Sequence, residues 1–538
     1  MKRISMVLLF TVVALCALPT AAMAGPARDG KPYGGSLSYG EYGRPATLDP
    51  ITSNEMISLR LTELIFNGLV GINEKQEIVP ELAEKWDRSA DGRVYTFHLR
   101  KDVSWHAREG EEPKSFTADD VVFTYKIMTH PKTITPLKVR YEFIDSVEKV
   151  DDYTVKFTLK RPILNALAKF SFKIIPRHGP ANPNYLTRED PFVQNPIGTG
   201  PYLLKNITAE REIVLTANER YFKGRPHLDK FTAKPFADQN IMTQALMFNA
   251  IDMIVLVNPR DIPEIQGDRR FNLQPYNALS YSFFGYNVRN PLLADKRVRQ
   301  AFTYAVNRQE MLDSFFNGQG TVISGPFAPG SWAYNLDVQP YAFDPEKAKT
   351  LLRDAGFTPG ADGMLQKNGK KLALSLKVPI EKESEAVKRV VLAFKNYLKN
   401  IGADITVQFK EWQAWKEDVF FEHEFDIIFA SWVFDDSADI SSLFHSGEIG
   451  PWKNNFGGYS NTEVDGLINE SKLTLDHEKR RTINRKLHAI LADETPYTFL
   501  WTLTNYAGYH KKVRRVAIHP YKFFSYADEW FMEEKDQK

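Results

Sequence analysis

Hydrophobic and polar positions alternate in several short segments of the chain, and this period of two predicts half-buried strands. Residues 94–99 and 153–159 show the pattern clearly, with aromatic and aliphatic side chains on one face. Between them, a helix is predicted over 118–129, with Thr117 as its N-cap. These elements predict an α+β unit in the first part of the chain.

A longer series of alternating strands and helices follows in the second half. The predicted elements are a strand at 372–378, a helix at 385–400, a strand at 404–409, a helix at 412–421 and a strand at 425–430. Strand–helix–strand repeats form parallel sheets with right-handed crossovers. The pattern therefore predicts the α/β fold class.

Helix boundaries are marked by capping residues. Asp295 is predicted to cap one helix, and Asp344-Pro345 to begin another that ends before Gly356. In the helix after Asp295, Arg297 and Arg299 are expected on the solvated face.

The segment after the strand at 425–430 is the candidate site. It contains Ser431, Trp432 and three acids, Asp435, Asp436 and Asp439. The carboxyl ends of strands in an open α/β sheet face the ligand crevice. An indole with a carboxylate three residues later suits a ligand with an apolar body and a cationic end. The alternative is an exposed loop with solvated acids.

The N-terminus has the pattern of a secretory signal. Lys2 and Arg3 precede the apolar run Val7–Leu18, and Ala22-Met23-Ala24 is a typical cleavage pattern. The run is too short to span a bilayer. We expect residues 1–24 to be removed and the protein to be periplasmic.

Cysteine usage and net charge narrow the functional classes. The single cysteine, Cys16, lies in the signal, so the mature chain is expected to have no disulfide. The whole chain has 69 basic and 67 acidic residues, and the two signal cations account for the difference. A balanced charge argues against nucleic acid as a partner. The length suggests about three domain-sized units.

The usual catalytic and metal-binding motifs are absent from the sequence. It contains no nucleophile-elbow, phosphate-loop or dinucleotide-binding motif, and His423-Glu424 is not part of a zinc-protease helix. The acids at 435–439 lack the pattern of a calcium loop. We expect no cofactor, no metal and no enzyme activity. The rival hypothesis is a secreted glycoside hydrolase, because glycosidase acids carry no local signature.

An ordered series of segments carries a family resemblance over nearly the whole mature chain. They are LDP at 48–50, NGLV at 67–70, PELAEKWDRSADGRVYTFHLRKDVSWH at 80–106, FTADDVVFTYKIM at 116–128, PIGTGPYLL at 196–204, LTANERYFKGRPHLD at 215–229, DKRVRQAFTYAVNRQEM at 295–311 and FDPEKAKTLLRDAGF at 343–357. With this series the chain resembles the extracellular solute-binding proteins of family 5, the peptide/nickel-binding group of ABC importers.

The resemblance implies a periplasmic-binding-protein fold with two lobes and three domains. Domain I would comprise residues 25–58, 193–277 and 497–538, domain II residues 59–192, and domain III residues 278–496. Domains I and II would form one lobe and domain III the other. The chain would cross between the lobes near 277–287 and 495–503, where the hinges are expected.

The resemblance also implies site residues. Trp432 and Asp435 match the W-x-x-D arrangement in which the aspartate holds a peptide's α-ammonium, and Trp412 matches a tryptophan that lines a side-chain pocket. Ser53, Asn54, Glu55 and Met56 would supply backbone contacts from domain I. The chain lacks the Asp-Pro pair that many members have after the aspartate. Asp436 is therefore an alternative to Asp435, and core packing is an alternative role for both tryptophans.

The resulting hypothesis is a monomeric receptor that captures di- or oligopeptides between its lobes and delivers them to an ABC permease in the inner membrane. The alternative cargo is an oligosaccharide or a metal chelate such as nickel.

Overall fold

The computed structural model describes residues 28–537 except 54, 74–76, 109, 164–165, 381–384, 435–437, 475 and 519–522. The strands are β1 Ser36–Tyr42, β2 Val70–Ile72, β3 Ile78–Pro80, β4 Ala83–Arg88, β5 Val94–Leu99, β6 Ile144–Asp151, β7 Thr154–Leu159, β8 Tyr202–Ile207, β9 Ile213–Ala217, β10 Lys230–Phe236, β11 Met253–Ile254, β12 Phe271–Tyr286, β13 Gly320–Val322, β14 Thr358–Pro359, β15 Leu365–Lys367, β16 Lys370–Lys371, β17 Ala373–Ile380, β18 Asp404–Glu411, β19 Ile427–Val433, β20 Tyr497–His510, β21 Val513–Arg514 and β22 Phe531–Met532.

The helices are α1 Met56–Ile65, α2 Ala118–Thr129, α3 Leu137–Arg140, α4 Ala166–Lys169, α5 Pro191–Gln194, α6 Gln239–Met247, α7 Ile262–Gly267, α8 Lys296–Ala305, α9 Arg308–Phe316, α10 Pro345–Asp354, α11 Glu385–Asn400, α12 Trp412–Lys416, α13 Ser441–Phe444, α14 Thr462–Leu473 and α15 His477–Glu494. A π-helical turn, Glu417–Phe421, continues α12. Within the described ranges, no helix has both the length and the apolar character needed to cross a bilayer.

One mixed sheet of eleven strands runs through the molecule. Its order is β18-β17-β19-β12-β20-β11-β1-β10-β9-β8, and β13 also pairs with β20. The long strands β12 and β20 lie side by side at its centre, and register shifts interrupt their pairing between Asn277 and Phe283. The strands β11, β1, β10, β9 and β8 lie on one side of β12 and β20, in what we call the first lobe. The strands β19, β17 and β18 lie on the other side, in the second lobe. The chain therefore passes between the lobes through β12 and β20. The two-lobed α/β fold class is thereby confirmed.

Separate hydrophobic cores lie on either side of the crossing strands. The first lobe has one core under β1, β9, β10 and α1 and a second under the four-stranded sheet β4-β5-β7-β6. Leu137 and Ile197 pack against both of these cores. In the second lobe, one core covers the face of the sheet toward α8 and α11, and another lies under α14 and α15.

The alternating strand–helix series of the second lobe is confirmed. β17 pairs in parallel with both β18 and β19, as strand–helix–strand connections require. The predicted caps are present as well: the Asp295 carboxylate accepts from the Arg297 N–H, and Gly356 has a φ of +91°. These features depend on residues close in sequence, and for this reason they could be predicted.

Two expectations are wrong in detail. The strand predicted at 425–430 extends over 427–433, so Trp432 lies inside the strand and not after it. Arg299 is not solvated: only 3% of it is exposed, and its guanidinium donates to backbone carbonyls, including those of Leu293 and Thr495. Its position at the junction of α8 with the end of α15 accounts for this burial.

His106 connects two segments that are distant in sequence, its own segment at 103–106 and the segment at 196–202. Its Nδ1 accepts from the Gly198 N–H at 3.2 Å, and its Nε2–H donates to the Gly200 carbonyl oxygen at 2.9 Å. Any side chain at Gly198 would collide with the carbonyl oxygen of Ile65. The sequences at 103–106 and 196–202 are therefore one structural unit at the junction of the two cores in the first lobe.

Candidate functional site

A cavity of about 680 Å³ lies at the carboxyl ends of the parallel strands in the second lobe. Pro379 of β17, Phe409 of β18 and Trp432 of β19 all belong to its wall. This is the edge at which open α/β sheets bind ligands. We call it the indole cavity, because four tryptophans line it, Trp412, Trp415, Trp432 and Trp501.

Trp432 is held by its place in the sheet and by stacked rings. It pairs with Tyr281 across β19 and β12. Its ring lies nearly parallel to those of Phe456, at 6.1 Å, and Phe283, at 6.3 Å, and Phe283 stacks on Tyr497 at 4.2 Å. Because the supporting rings are buried, the indole has little freedom to move. It forms a preorganised wall of the cavity.

Trp412 presents a second indole to the same cavity. It is the first residue of α12, whose N-terminus is capped by the Glu411 carboxylate. Its ring stacks on Trp415 at 5.4 Å, and the Trp415 Nε1–H donates to the Lys377 carbonyl oxygen at 3.4 Å. Trp412 is 43% exposed, and the Lys416 ammonium lies 5.7 Å from the centre of its ring. The structure thus brings Trp412 and Trp432 into one wall.

Asp435, Asp436 and Asn54 lie outside the described residues. The residues on either side of 435–437 are described: the Phe434 N–H donates to the Leu279 carbonyl oxygen, and the Asp439 carboxylate accepts from the Ser441 N–H. Asp439 and Trp432 line a second cavity of about 460 Å³, which we call the loop cavity. The described neighbours of this segment, Phe434 and Ala438, line the loop cavity.

The loop cavity lies between the lobes. Its far wall is formed by the first lobe, with Arg140 and Lys169 at the ends of α3 and α4. Trp432 contributes to the indole cavity as well as to the loop cavity. A ligand seated against Trp432 can therefore contact both lobes.

The residues predicted to contact the ligand from domain I lie elsewhere. Ser53 is buried, the Glu55 carboxylate accepts from the Ala46 N–H at 2.8 Å, and Met56 begins α1 with its side chain half exposed. Ser53, Glu55 and Met56 are not part of the described walls of the indole or loop cavities. Their role in binding stays a prediction.

Several wall residues were not singled out from the sequence. Phe316, Phe456 and Leu503 line the indole cavity, and Ser282 and Ser431 are joined by a hydrogen bond of 3.1 Å on its floor. The only sequence feature that could have indicated these wall residues is the high aromatic content of segments 281–286 and 497–501. It could not show that these strands pair, because pairing depends on contacts more than 200 residues apart.

A third cavity of about 740 Å³ adjoins the crossing strands, and we call it the hinge cavity. Its wall includes Arg260 from the first lobe and Arg389 of α11 from the second. Phe316 and Leu503 belong to the walls of both the hinge cavity and the indole cavity. The hinge cavity therefore adjoins the indole cavity, as the loop cavity does on the other side through Trp432.

A serine–histidine pair outside these walls does not have the arrangement of a hydrolase. Ser324 Oγ lies 2.9 Å from His488 Nε2, while His488 Nδ1 accepts from the Asn335 N–H at 3.0 Å. The network places the proton on Nε2, so the imidazole donates to the serine and cannot accept its proton. Burial lowers the pKa of His488 to about 4. The pair is a structural link between α15 and the segment that connects β13 to α10.

Comparisons with known proteins agree over nearly the whole chain. The profile of the "Bacterial extracellular solute-binding proteins, family 5 Middle" matches residues 77–451. The oligopeptide-binding protein AppA of Bacillus subtilis (strain 168) is 30% identical over 512 residues, 94% of this chain and 93% of the relative. The dipeptide-binding protein of Escherichia coli (strain K12) is 29% identical over 508 residues, 90% of this chain and 92% of the relative.

A solved structure shows the same fold. The structure of the oligopeptide-binding protein AppA from Bacillus subtilis in complex with a nonapeptide matches with a TM-score of 0.72 and 29% identity, covering 94% of this chain and 100% of that chain. The crevice between two lobes, the crossing strands and the family profile together lead to one conclusion. The chain belongs to the bacterial extracellular solute-binding proteins of family 5.

Proposed function

We propose that the protein is the periplasmic receptor of an ABC importer, which captures peptides between its lobes and passes them to a permease in the inner membrane. The observation that carries the proposal is the pair of indoles, Trp412 and Trp432, in the wall of one cavity. Both sequence relatives described above are named for peptides. Closure of the lobes would bury the ligand.

Binding of this kind needs no bond to be broken. Backbone groups of the peptide would pair with the protein backbone, and the indoles would accept side chains of many shapes. The described wall of the indole cavity contains no carboxylate, and that of the loop cavity contains one, Asp439. This arrangement gives no support to the paired, opposed carboxylates of a glycoside hydrolase.

The decisive experiment concerns the ammonium contact of Asp435. We expect Asp435→Asn to weaken binding of an unmodified peptide by about 2–5 kcal/mol, because the change leaves a buried ammonium without its partner. Isothermal titration calorimetry with free and N-acetylated peptides measures the effect. Acetylation should weaken binding to the native protein strongly and should have little effect on the variant.

Asp436→Asn is the matched control and should bind nearly as well as the native protein. A large loss in Asp436→Asn with none in Asp435→Asn would move the contact to the neighbouring residue. Equal binding of free and acetylated peptides by the native protein would reject the ammonium site and favour an oligosaccharide or chelate ligand.

Trp412 gives an independent test of the cavity. We expect Trp412→Ala to weaken binding of a peptide with an aromatic second residue by about 1–2 kcal/mol, because the ligand loses a stacking surface. Trp452→Ala is the control, since Trp452 is also half exposed but lies outside the described cavity walls. Similar affinities of the two variants would exclude Trp412 as a contact.

A further inference from the structure

One short segment supplies much of the aromatic wall of the indole cavity. Trp412 and Trp415 of α12 and Phe420 of the π-helical turn all line the cavity. We call α12 and this turn, residues 412–421, the indole segment. The ring of Phe420 lies 5.9 Å from that of Trp415 and 6.4 Å from that of Trp432 on β19. A shift of the indole segment against β19 would therefore change the shape of the cavity.

The indole segment is held to the sheet by a carboxylate that lies between two lysines. Asp418 is in the π-helical turn, and its Oδ2 accepts from Lys377 Nζ of β17 at 2.7 Å and lies 3.0 Å from Lys410 Nζ of β18. Burial raises the pKa of the Asp418 carboxyl, but the hydrogen bonds and charges of the two ammonium groups lower it more. The carboxylate is therefore charged at neutral pH and joins the turn to two strands.

The burial of Lys377 makes this contact different from an exposed ion pair. Only 8% of Lys377 is exposed. Its neighbours Leu376 and Val378 belong to the core that also contains Phe394 of α11, so Lys377 is on the opposite face of β17. Without Asp418, its ammonium would lie buried next to the indole segment without the nearest counter-charge. The lysine or the segment would then have to move to admit water.

The backbone of the turn also depends on contacts from outside it. Turns of the π-helical type are rare and occur mostly at functional sites. The chain leaves this one through His423, whose φ of +58° is in the left-handed region, uncommon for residues other than glycine. Such a conformation persists where the surrounding structure holds it. The ionic contacts of Asp418 lie within this turn.

We infer that Asp418, Lys377 and Lys410 are positioning residues for ligand binding, which set the distance between the rings of the indole segment and Trp432. The inference rests on the proposed receptor function and deepens it. None of the three residues belongs to the described wall of the indole cavity. They act on an aromatic group of the ligand through the indoles and Phe420.

The test measures the aromatic preference, which is the ratio of the affinities for Ala-Phe-Ala and Ala-Ala-Ala, by isothermal titration calorimetry. We expect Asp418→Asn to weaken binding of Ala-Phe-Ala about fivefold and that of Ala-Ala-Ala less than twofold. The near-ultraviolet circular dichroism of the tryptophans should change as well. A general loss of stability would leave both readouts of the folded molecules unchanged.

Asp119→Asn is the matched control. The Asp119 carboxylate of α2 also has two cations close to it, Lys149 at 2.9 Å and Arg177 at 3.8 Å, but it lies in the first lobe outside the described walls of the three cavities. This variant should keep the native aromatic preference and the native near-ultraviolet spectrum.

A double variant separates positioning from stability. Asp418→Asn combined with Lys377→Met removes the buried ammonium, so resistance to urea should recover relative to Asp418→Asn, while the aromatic preference should stay low. If Asp418→Asn does not fold, the double variant takes its place in the comparison with the native chain.

Two results would overturn the inference: an unchanged preference and spectrum in Asp418→Asn, or a preference that recovers together with stability in the double variant. Failure of both peptides to bind the native protein would instead reject the proposed function. The near-ultraviolet spectra would still decide whether Asp418 positions the indoles.

Discussion

Acidification from pH 7 to pH 4 is expected to destabilise the folded chain by about 6 kcal/mol through two buried histidines, His106 and His488. Burial lowers the pKa of each to about 4 from an ordinary value near 6.5. In the unfolded chain each imidazole takes up a proton near pH 6.5. Between these two pKa values the unfolded state binds more protons than the folded state. The free energy of unfolding therefore decreases as the pH is lowered, by about 3 kcal/mol for each histidine.

The hydrogen bonds explain why a charge on either histidine is unfavourable in the folded protein. In both rings Nδ1 accepts from a backbone N–H, of Gly198 in one case and of Asn335 in the other. A second proton would turn this acceptor into a donor that faces another donor. The loss should be complete near pH 4, because below that value folded and unfolded states are protonated alike.

Urea unfolding followed by circular dichroism between pH 7.5 and pH 4 measures this effect. The variants His106→Gln and His488→Gln should be less stable at pH 7 and should show a shallower dependence on pH than the native chain. His477→Gln is the control, because His477 is largely exposed. An unchanged slope in both buried-site variants would show that other groups cause the acid sensitivity.

Glu41→Ala is expected to lower the free energy of unfolding by about 3–5 kcal/mol. The Glu41 carboxylate accepts from Arg60 Nε at 2.9 Å and Nη2 at 2.6 Å, and both side chains are almost fully buried. The Arg60 guanidinium also lies 5.0 Å from the centre of the Phe523 ring. Removal of the carboxylate leaves this cation buried without its counter-charge, and chemical denaturation measures the cost.

Two further variants complete this experiment. Glu346→Ala breaks the exposed pair with Lys349 and should cost less than about 1 kcal/mol. The double change of Glu41 and Arg60 to methionine should recover most of the stability, because a buried ion pair can be replaced by apolar side chains at little cost. A loss in Glu41→Ala no larger than in Glu346→Ala would contradict a structural role for the pair.

The same ion pair affects the part of the first lobe that is predicted to meet the ligand. Glu41 is in β1 and Arg60 is in α1, so the pair fixes the helix on the sheet. The segment 53–56 leads directly into that helix. If this segment contacts the peptide, Glu41→Ala should weaken binding as well as folding.

Helix boundaries and individual strands could be predicted from the sequence, because they depend on residues that are neighbours in the chain. Caps at Asp295 and Asp344, the left-handed glycine at 356 and the alternating elements from β17 to β19 are all present as expected. Trp412 and Trp432 were matched through the family resemblance, and the structure places both in one wall. The role of Asp435 and the division into three domains remain predictions.

By itself, the sequence determined the fold class, the family and the parallel sheet of the second lobe, since periodicity and capping act over a few residues. Only the tertiary structure decided that β12 and β20 join both lobes in one sheet and that Trp432 lies within a strand. It also decided that Arg299 is buried and that Arg260 and Arg389 line the same cavity. The physical reason is that a hydrophobic pattern shows which face of an element is buried, but the distant partner that buries it is chosen by packing.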